Sequence, residues 1–289
     1  MPLLLGNTAS AGGSGPLITN FLIVGGGGAS GFRSDNVYYL GGGGAGGLRS
    51  SIDGNGGGAP AESPLILTPG TTYTITVGLG GVGVAYGSLS SANNGGNSSI
   101  SGSDITTILS TGGGAGANPD TAGFSGGSGG GAGGNDSVRS GGTAASPTQG
   151  YAGGAVNNSN GGSGGGGGGA GSVGGSVSGN NFKGGAGGNA LQNSITGTAI
   201  YYAGGGPGGG GYYSSPVGNP VLGDFGVGYN RSNPGMGGYM TGNGANAVNS
   251  GTNGVVILKT TVNASATTGS PSNPSTGLYI FNSSGSITF

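Results

Sequence analysis

The chain carries few side chains able to do chemistry. Histidine and cysteine are both absent from its 289 residues, so neither a Ser-His-Asp nor a Cys-His arrangement can be assembled. Without cysteine there is also no disulfide and no thiolate metal site. Seven carboxylates remain: Asp35, Asp53, Glu62, Asp104, Asp120, Asp136 and Asp224. Glycoside cleavage needs two acids facing each other across a cleft, and Asp120 with Asp136 is the kind of pair to consider. Each acid sits alone in glycine-rich or turn sequence, however, where an aspartate bonds its own backbone. A calcium site of Asp and backbone carbonyls meets the same objection. No catalytic residue, metal or cofactor is expected, and the chain reads as a non-enzyme.

One motif argues the other way. Gly26-Gly27-Gly28-Ala29-Ser30-Gly31 satisfies the G-x-G-x-x-G dinucleotide fingerprint and follows the apolar run 21–24. With 83 glycines in the chain, about seven such matches arise by shuffling alone. The fingerprint also needs a helix N-terminus to hold the pyrophosphate, and "FRSDNVYYL" followed by "GGGGAGG" supplies no helix formers. Asp53 lies near the spacing of a ribose-binding acid, but "SIDGNGGG" reads as a turn.

Six basic residues balance the seven acids, with no block of either sign. Nucleic acid and anionic membrane call for clustered Lys and Arg, so neither is an expected partner. No stretch has the length of a transmembrane helix, and "MPLLLG" lacks the basic region and apolar length of a signal peptide.

Gly-rich chains commonly stay disordered, because they bury too little apolar surface to offset chain entropy. Here the apolar residues are grouped into strand-like runs at 17–24, 64–68, 71–79, 98–109, 253–262 and 277–289. Tyr73, Ile75 and Val77 alternate with Thr72, Thr74 and Thr76, the period of a half-buried strand. "FLIV" and "VVIL" are continuous, as in strands covered on both faces. No segment has helical periodicity.

The glycine tracts between these runs lack the strict triplet of collagen and the Gly-Ala alternation of silk. What remains is an extended left-handed helix of three residues per turn, whose N–H and C=O groups all point outward. Such helices can pack side by side with no Cβ between them, each bonding its neighbours, which answers where the backbone hydrogen bonds go. Interior helices then need glycine at all three positions, and outer ones can carry Ala, Ser or Pro on the exposed third. "GGSGGGGGGAG" (161–171) suits an interior helix about 34 Å long. "AGGGPGGGG" (203–211) suits an outer one, since Pro207 has no N–H to donate. The fold class expected is mainly irregular with β: packed polyglycine-type helices framed by short strands, essentially without α-helix. The chain divides into an N-terminal arm (1–16), the glycine-rich sandwich (17–262), a linker (263–276) and a C-terminal strand element (277–289).

In their order, "FLIVGGGGASG", "TYTITVGLGGVG", "NNGGNSSI", "TGGGAGA", "GGPGGGG" and "GTNGVVILK" resemble glycine-rich tail-fibre and adhesin-like proteins of tailed bacteriophages over roughly residues 17–260. "GLYIFNSSGSITF" also looks like strand repeats of such virion proteins. The resemblance implies layers of polyglycine helices capped by loops that contact the host. It further implies a location in the virion tail, in several copies, with other tail proteins and a bacterial surface glycan or outer-membrane protein as partners. A fibre-shaft or decoration protein touching only virion subunits is the alternative. An ice-binding protein would show a regular period-three series of Ala or Thr, which is absent, and a depolymerase, the last alternative, would need an acid pair such as Asp120 with Asp136.

The contact residues would come from loops. Tyr38-Tyr39, Tyr201-Tyr202 and Tyr212-Tyr213 are adjacent pairs where a loop meets a glycine tract. Such rings either cap a glycine layer or project as rigid anchors for sugar or protein, and neighbours in an extended chain can do one each. Loops 32–40, 192–202 and 212–234 hold the candidate receptor-binding residues: Phe32, Arg33, Tyr38, Tyr39, Tyr201, Tyr202, Tyr212, Tyr213, Phe225, Tyr229 and Arg231. The last loop, the longest without polyglycine, is the first choice.

Overall fold

The computed structural model describes residues 15–32, 39–84, 93–135, 137–157, 162–178, 183–210, 224–239 and 250–289. The N-terminal arm lies almost wholly outside them. The described strands are β1 (Leu17–Val24), β2 (Leu48–Ser50), β3 (Leu65–Leu67), β4 (Thr72–Thr76), β5 (Ser98–Gly102), β6 (Ile105–Ser110), β7 (Leu191–Asn193), β8 (Ile200–Tyr202), β9 (Val255–Lys259), β10 (Ala266–Thr268), β11 (Ser272–Ser275), β12 (Leu278–Phe281) and β13 (Gly285–Thr288). A single 3-10 turn, Gly56–Gly58, is the only helical element among the described residues.

Two antiparallel sheets carry most of these strands. One runs β11-β12-β9-β1-β2, with β3 also on β1; the other runs β10-β13-β4-β5-β6; β7 and β8 form a separate hairpin. The alternation over 72–76 does what its period requires. Tyr73 and Ile75 point into the core and the threonines to solvent, and Val77 continues the buried row. They meet Phe21, Ile23, Val256, Leu258, Phe281 and Ile287 between the sheets. The opposite face of β1 and β9, through Leu22, Val24, Val255 and Ile257, packs on Leu48, Ile195 and Tyr202. Coverage on both faces is why "FLIV" and "VVIL" are unbroken apolar runs.

The C-terminal region differs from expectation. Residues 263–276 hold β10 and β11 in place of a linker, and β12 and β13 are integral strands of the two sheets. β12 pairs with β9 over Leu278↔Lys259 to Phe281↔Val256, and β13 pairs with β4 over Gly285↔Ile75 to Thr288↔Thr72. Four of the core's large side chains, Tyr279, Phe281, Ile287 and Phe289, come from these last residues.

Beyond the strand ends lies the glycine lattice, and its hydrogen bonds state its geometry. In tract 41–47 the N–H groups of Gly41, Gly44 and Gly47 donate to Ala117, Gly114 and Thr111. Those of Gly42 and Ala45 donate to Gly165 and Gly168, and those of Gly43 and Gly46 to Gly238 and Gly235. Every third residue thus faces the same neighbour, as three residues per turn demand. Its carbonyls receive N–H groups from three further tracts: Gly31 and Gly28, Gly131 and Ser128, and Gly206. Six neighbours surround it.

Tract 164–170 is likewise interior, as its unbroken glycine run predicts. Gly164, Gly167 and Ala170 donate to Gly209, Gly206 and Ala203; Gly165 and Gly168 to Ala132 and Gly129; Gly166 and Gly169 to Gly175 and Ser172. Its carbonyls accept from Gly185 and Gly188, Gly42 and Ala45, and Gly154 and Tyr151. No main-chain group over 164–169 is left without a partner.

The residue rule needs two corrections. Tract 203–210, expected on the outside, is buried along its whole length. It bonds to tracts 164–170, 183–190 and 41–47, and Gly204 accepts from Gly237. Pro207 fits because its row is not used for main-chain donation: the N–H of Gly204, three residues earlier, points to the Met236 sulfur. Interior tracts also hold alanines. Ala45, Ala170 and Ala203 sit at the strand ends of three mutually bonded tracts, where their methyls join the aliphatic cluster of β1 and β9. Ala29 and Ala115 pack on each other.

Strand order sets tract direction. Tracts 25–32, 77–84, 111–118 and 203–210 lead away from β1, β4, β6 and β8, whereas 41–47, 93–97, 183–190 and 250–254 lead back into β2, β5, β7 and β9. The antiparallel bonding of 25–31 to 41–47 agrees.

A methyl group has no room inside this lattice. A Cβ on Gly167 would fall far inside the 3.0 Å that real Cβ atoms keep, against the carbonyl of Gly43. Gly167→Ala is expected to destabilise the fold by about 3 kcal/mol, from overpacking and broken main-chain bonds. Gly15→Ala, where nothing lies within 4 Å, is expected to be neutral; denaturant unfolding of both variants checks the contrast.

Candidate functional site

The fingerprint glycines are spent on the lattice. The N–H groups of Gly26, Gly27, Gly28 and Gly31 donate to Gly96, Thr252, Gly44 and Gly41, and no α-helix follows among the described residues. Ala29 donates likewise to Asn93, and Ser30, whose N–H has no acceptor among the described residues, is buried. Asp53 stands in a turn with φ +64°, and its Oδ2 accepts from the Ser194 N–H at 2.7 Å and hydroxyl at 2.6 Å. It ties the β7–β8 hairpin to the turn after β2.

The other described acids do similar work; Asp35 lies outside the described residues. Asp120, with φ +59°, accepts from the Asn135 amide at 2.7 Å, and Arg139 Nε donates to its carbonyl. Asp136 lies outside the described residues. Glu62 takes Arg49 through both oxygens, at 2.7 and 2.6 Å, and Arg49 also caps the Leu109 carbonyl on the edge of β6. Asp104 accepts the Tyr73 hydroxyl at 2.7 Å and the Thr68 N–H at 3.1 Å. Among the described residues no group of three or more acids could hold a metal ion, and no helix is long and apolar enough to cross a membrane.

The described aromatic candidates outside loop 212–234 do not share one surface. Phe32 is buried, and its N–H donates to Asn118 Oδ1 at 2.7 Å. Tyr39, half-buried at the start of tract 41–47, lies with its ring against Gly162. Tyr201 and Tyr202 lie at the opposite end, on β8 beside the sheets. Tyr202 is a core residue, 3% exposed, and burial pushes its hydroxyl up to about 12; as a contact residue it is ruled out. The Tyr201 ring covers Gly228. Arg33, Tyr38, Tyr212 and Tyr213 lie outside the described residues.

The first-choice loop fares differently. Phe225 and Tyr229 stack with ring centroids 5.1 Å apart. Both also meet Tyr239, at 4.8 and 5.8 Å, edge to face. The Arg231 guanidinium lies over the Tyr239 ring, 5.2 Å from its centroid, and reaches the Ser250 carbonyl at 3.3 Å. Tyr229 anchors the group: its hydroxyl donates to the Gly237 carbonyl, and burial pushes its ionisation well above the ordinary tyrosine range, against the pull of Arg231. Phe225 remains 47% exposed and Val227 62%, and Arg231 is exposed. Tyr239 was absent from the sequence candidates, although it too ends a glycine tract, "GMGGY".

The segment is held from below by the lattice. The carbonyls of Asp224 and Val227 accept from Gly187 and Ala190, so 224–227 lies along tract 183–190. Asp224 also pairs with Lys183 Nζ at 2.7 and 2.8 Å, on the wall of a groove of about 290 Å³ that includes Ser176, Val177 and Ala186. The site thus offers an aromatic surface with one cation and a polar groove beside it. Among its described residues Asp224 is the one carboxylate, and it is paired with Lys183.

Stacked three-residue-per-turn helices clamped by a β-sandwich define a glycine-rich scaffold domain. The chain belongs to the glycine-rich domain family, whose model matches residues 6–261. No curated protein and no solved structure matches it. The family match ends just after β9, so β10–β13 lie beyond it.

The hydrogen bonds of Thr68 and Tyr73 hold the Asp104 carboxyl below its ordinary range. A lowered carboxyl stabilises the fold above the unfolded value, near 3.9, and that contribution is lost as pH falls through the folded value. Asp104→Asn is therefore expected to melt below the wild type at neutral pH, with the gap closing under acid conditions. Melting curves from pH 7 downwards test this; a gap independent of pH would refute the linkage.

Proposed function

We propose that this chain is a virion protein of a tailed bacteriophage, carried on the tail fibre or its tip, and that it binds the bacterial surface without catalysis. The order of its glycine motifs supports the phage assignment. The observation that carries the binding role is the cluster of Phe225, Tyr229, Tyr239 and Arg231, part exposed and held against a lattice whose bonds are main-chain bonds. Rings and Arg fixed by such a support lose little freedom on contact, which is what makes them effective anchors. A surface with so few charges recognises its partner by hydrogen bonding and stacking instead of long-range steering. A surface glycan or an outer-membrane protein fits that chemistry, and several weak contacts per particle add through avidity.

The purified chain is expected to bind cells of the host on which its phage grows and to block adsorption. Phe225→Ala with Arg231→Ala should weaken binding about tenfold or more while the protein still melts cooperatively. Wild-type protein that binds no cells, together with particles that fail to assemble when the gene is deleted, would move the assignment to a fibre-shaft or decoration protein.

A further inference from the structure

The groove beside the aromatic cluster holds polar groups that the cluster lacks. It lies between residues 175–178 and 183–186, with the Lys183–Asp224 pair on its wall. Both members of the pair face water: the Lys183 side chain is 48% exposed and that of Asp224 77%. An ionised carboxylate has about four lone-pair sites, and Lys183 Nζ takes one on each oxygen. Among the described residues no other side chain or main-chain N–H donates to Asp224. Acceptor capacity therefore remains on the carboxylate, and a proton of the ammonium is left to donate.

Ser176, exposed on the groove wall, adds a donor. Its hydroxyl oxygen accepts the Ala155 N–H at 3.0 Å, which leaves the hydroxyl proton to a ligand. Asp224 runs directly into Phe225, whose half-exposed ring is braced by Tyr229 and Tyr239. Hydroxyl-binding groups beside an open aromatic face match a pyranose, which carries hydroxyls on its rim and C–H groups on its faces. Charge narrows the choice further. An anion would have to draw Lys183 from Asp224, and a cation Asp224 from Lys183, whereas a neutral polyol bonds to both without parting them. The volume of about 290 Å³ lies just under the usual range for small-molecule pockets, about 300–1,000 Å³. It suits a ring or two of a saccharide chain, not a folded partner.

Resting on the adhesive reading above, we infer that the groove at Lys183 and Asp224 binds a neutral sugar with two free hydroxyls on adjacent carbons, its face against Phe225. The surface partner is then a polysaccharide and not an outer-membrane protein. One hydroxyl of the diol donates to Asp224 and its neighbour accepts from Lys183, so the ligand spans the ion pair. Both bonds are charge-assisted, which makes them the strong polar contacts of the site.

The test adds purified wild-type protein to host cells in three states: untreated, shaved with protease, and oxidised with periodate, which cleaves the bond between carbons bearing adjacent hydroxyls. Shaved cells should bind as untreated cells do, and oxidised cells should not. Binding that survives periodate, or that is lost on shaving, would overturn the inference while leaving the adhesive reading in place. Untreated cells that bind nothing would overturn both. Polysaccharide released from the same cells by mild acid is then split on an anion exchanger and titrated calorimetrically. The neutral fraction should bind, and binding by the acidic fraction alone would overturn the assignment. Asp224→Asn and Lys183→Met should each weaken binding of the neutral fraction about tenfold or more. Their melting temperatures should stay at the wild-type value, because an exposed ion pair adds little to stability. Variants that fold and bind as tightly as the wild type would place the sugar elsewhere and overturn the site.

Discussion

The structure depends on main chain packing against main chain with nothing between. Glycine costs about 0.5–1 kcal/mol more than alanine to fix, and each main-chain hydrogen bond returns a net of about 0.5–1.5 kcal/mol. Gain and cost are of equal size, so a tract gains only when nearly every group finds a partner. A three-residue turn sends donors in three directions and takes donors from three more. An isolated tract or a pair of tracts cannot satisfy that, whereas six neighbours can. This is why tract 164–170 is saturated and tract 41–47 lacks a donor only at the Gly46 carbonyl, and why the lattice tolerates both parallel and antiparallel neighbours: only the row, not the chain direction, decides who bonds to whom.

A lattice near energetic balance needs something to set its register, and the β-sandwich supplies it. Each of β1, β4, β6 and β8 continues directly into an outgoing tract, and each of β2, β5, β7 and β9 receives a returning one. Strand pairing such as Leu22↔Ser50 and Val24↔Leu48 therefore fixes which glycine meets which in the tracts that follow. The alanines at 45, 170 and 203 mark the junction, where methyl groups still reach apolar neighbours. The C-terminal strands reinforce the same device, since β12 joins one sheet and β13 the other.

What could be read from sequence followed from strong local signals. The alternation at 72–77 and the unbroken runs in β1 and β9 were legible because burial on one or two faces leaves a period. Tract 161–171 was legible because only a fully surrounded helix needs glycine everywhere. The strands that escaped notice are three or four residues long and carry no period; β10 and β11 are exposed throughout. Pro207 misled because a missing donor looks like an outer position, when it only requires that one row make no main-chain donation. Among the candidate contacts, Tyr201 and Tyr202 shared a signal with Tyr39 although they sit at the other end of the tracts. Tyr239 carried the signal of a tract end but stood alone, and pairing was the cue that had been followed.

The same constraint accounts for a chain poor in charge and rich in amides. Where a row runs past the end of its neighbour, a side-chain oxygen must stand in for the missing carbonyl. Asn97 and Asn94 do so for Gly112 and Ala115, Asn118 for Phe32, and Asn189 for Val227. A carboxylate could accept the same bond, but a repeated series of them in a poorly solvated lattice would incur a desolvation and repulsion cost that an amide avoids. Because these bonds are made by backbone and by a few amides, the lattice asks almost nothing of the side chains at its far end.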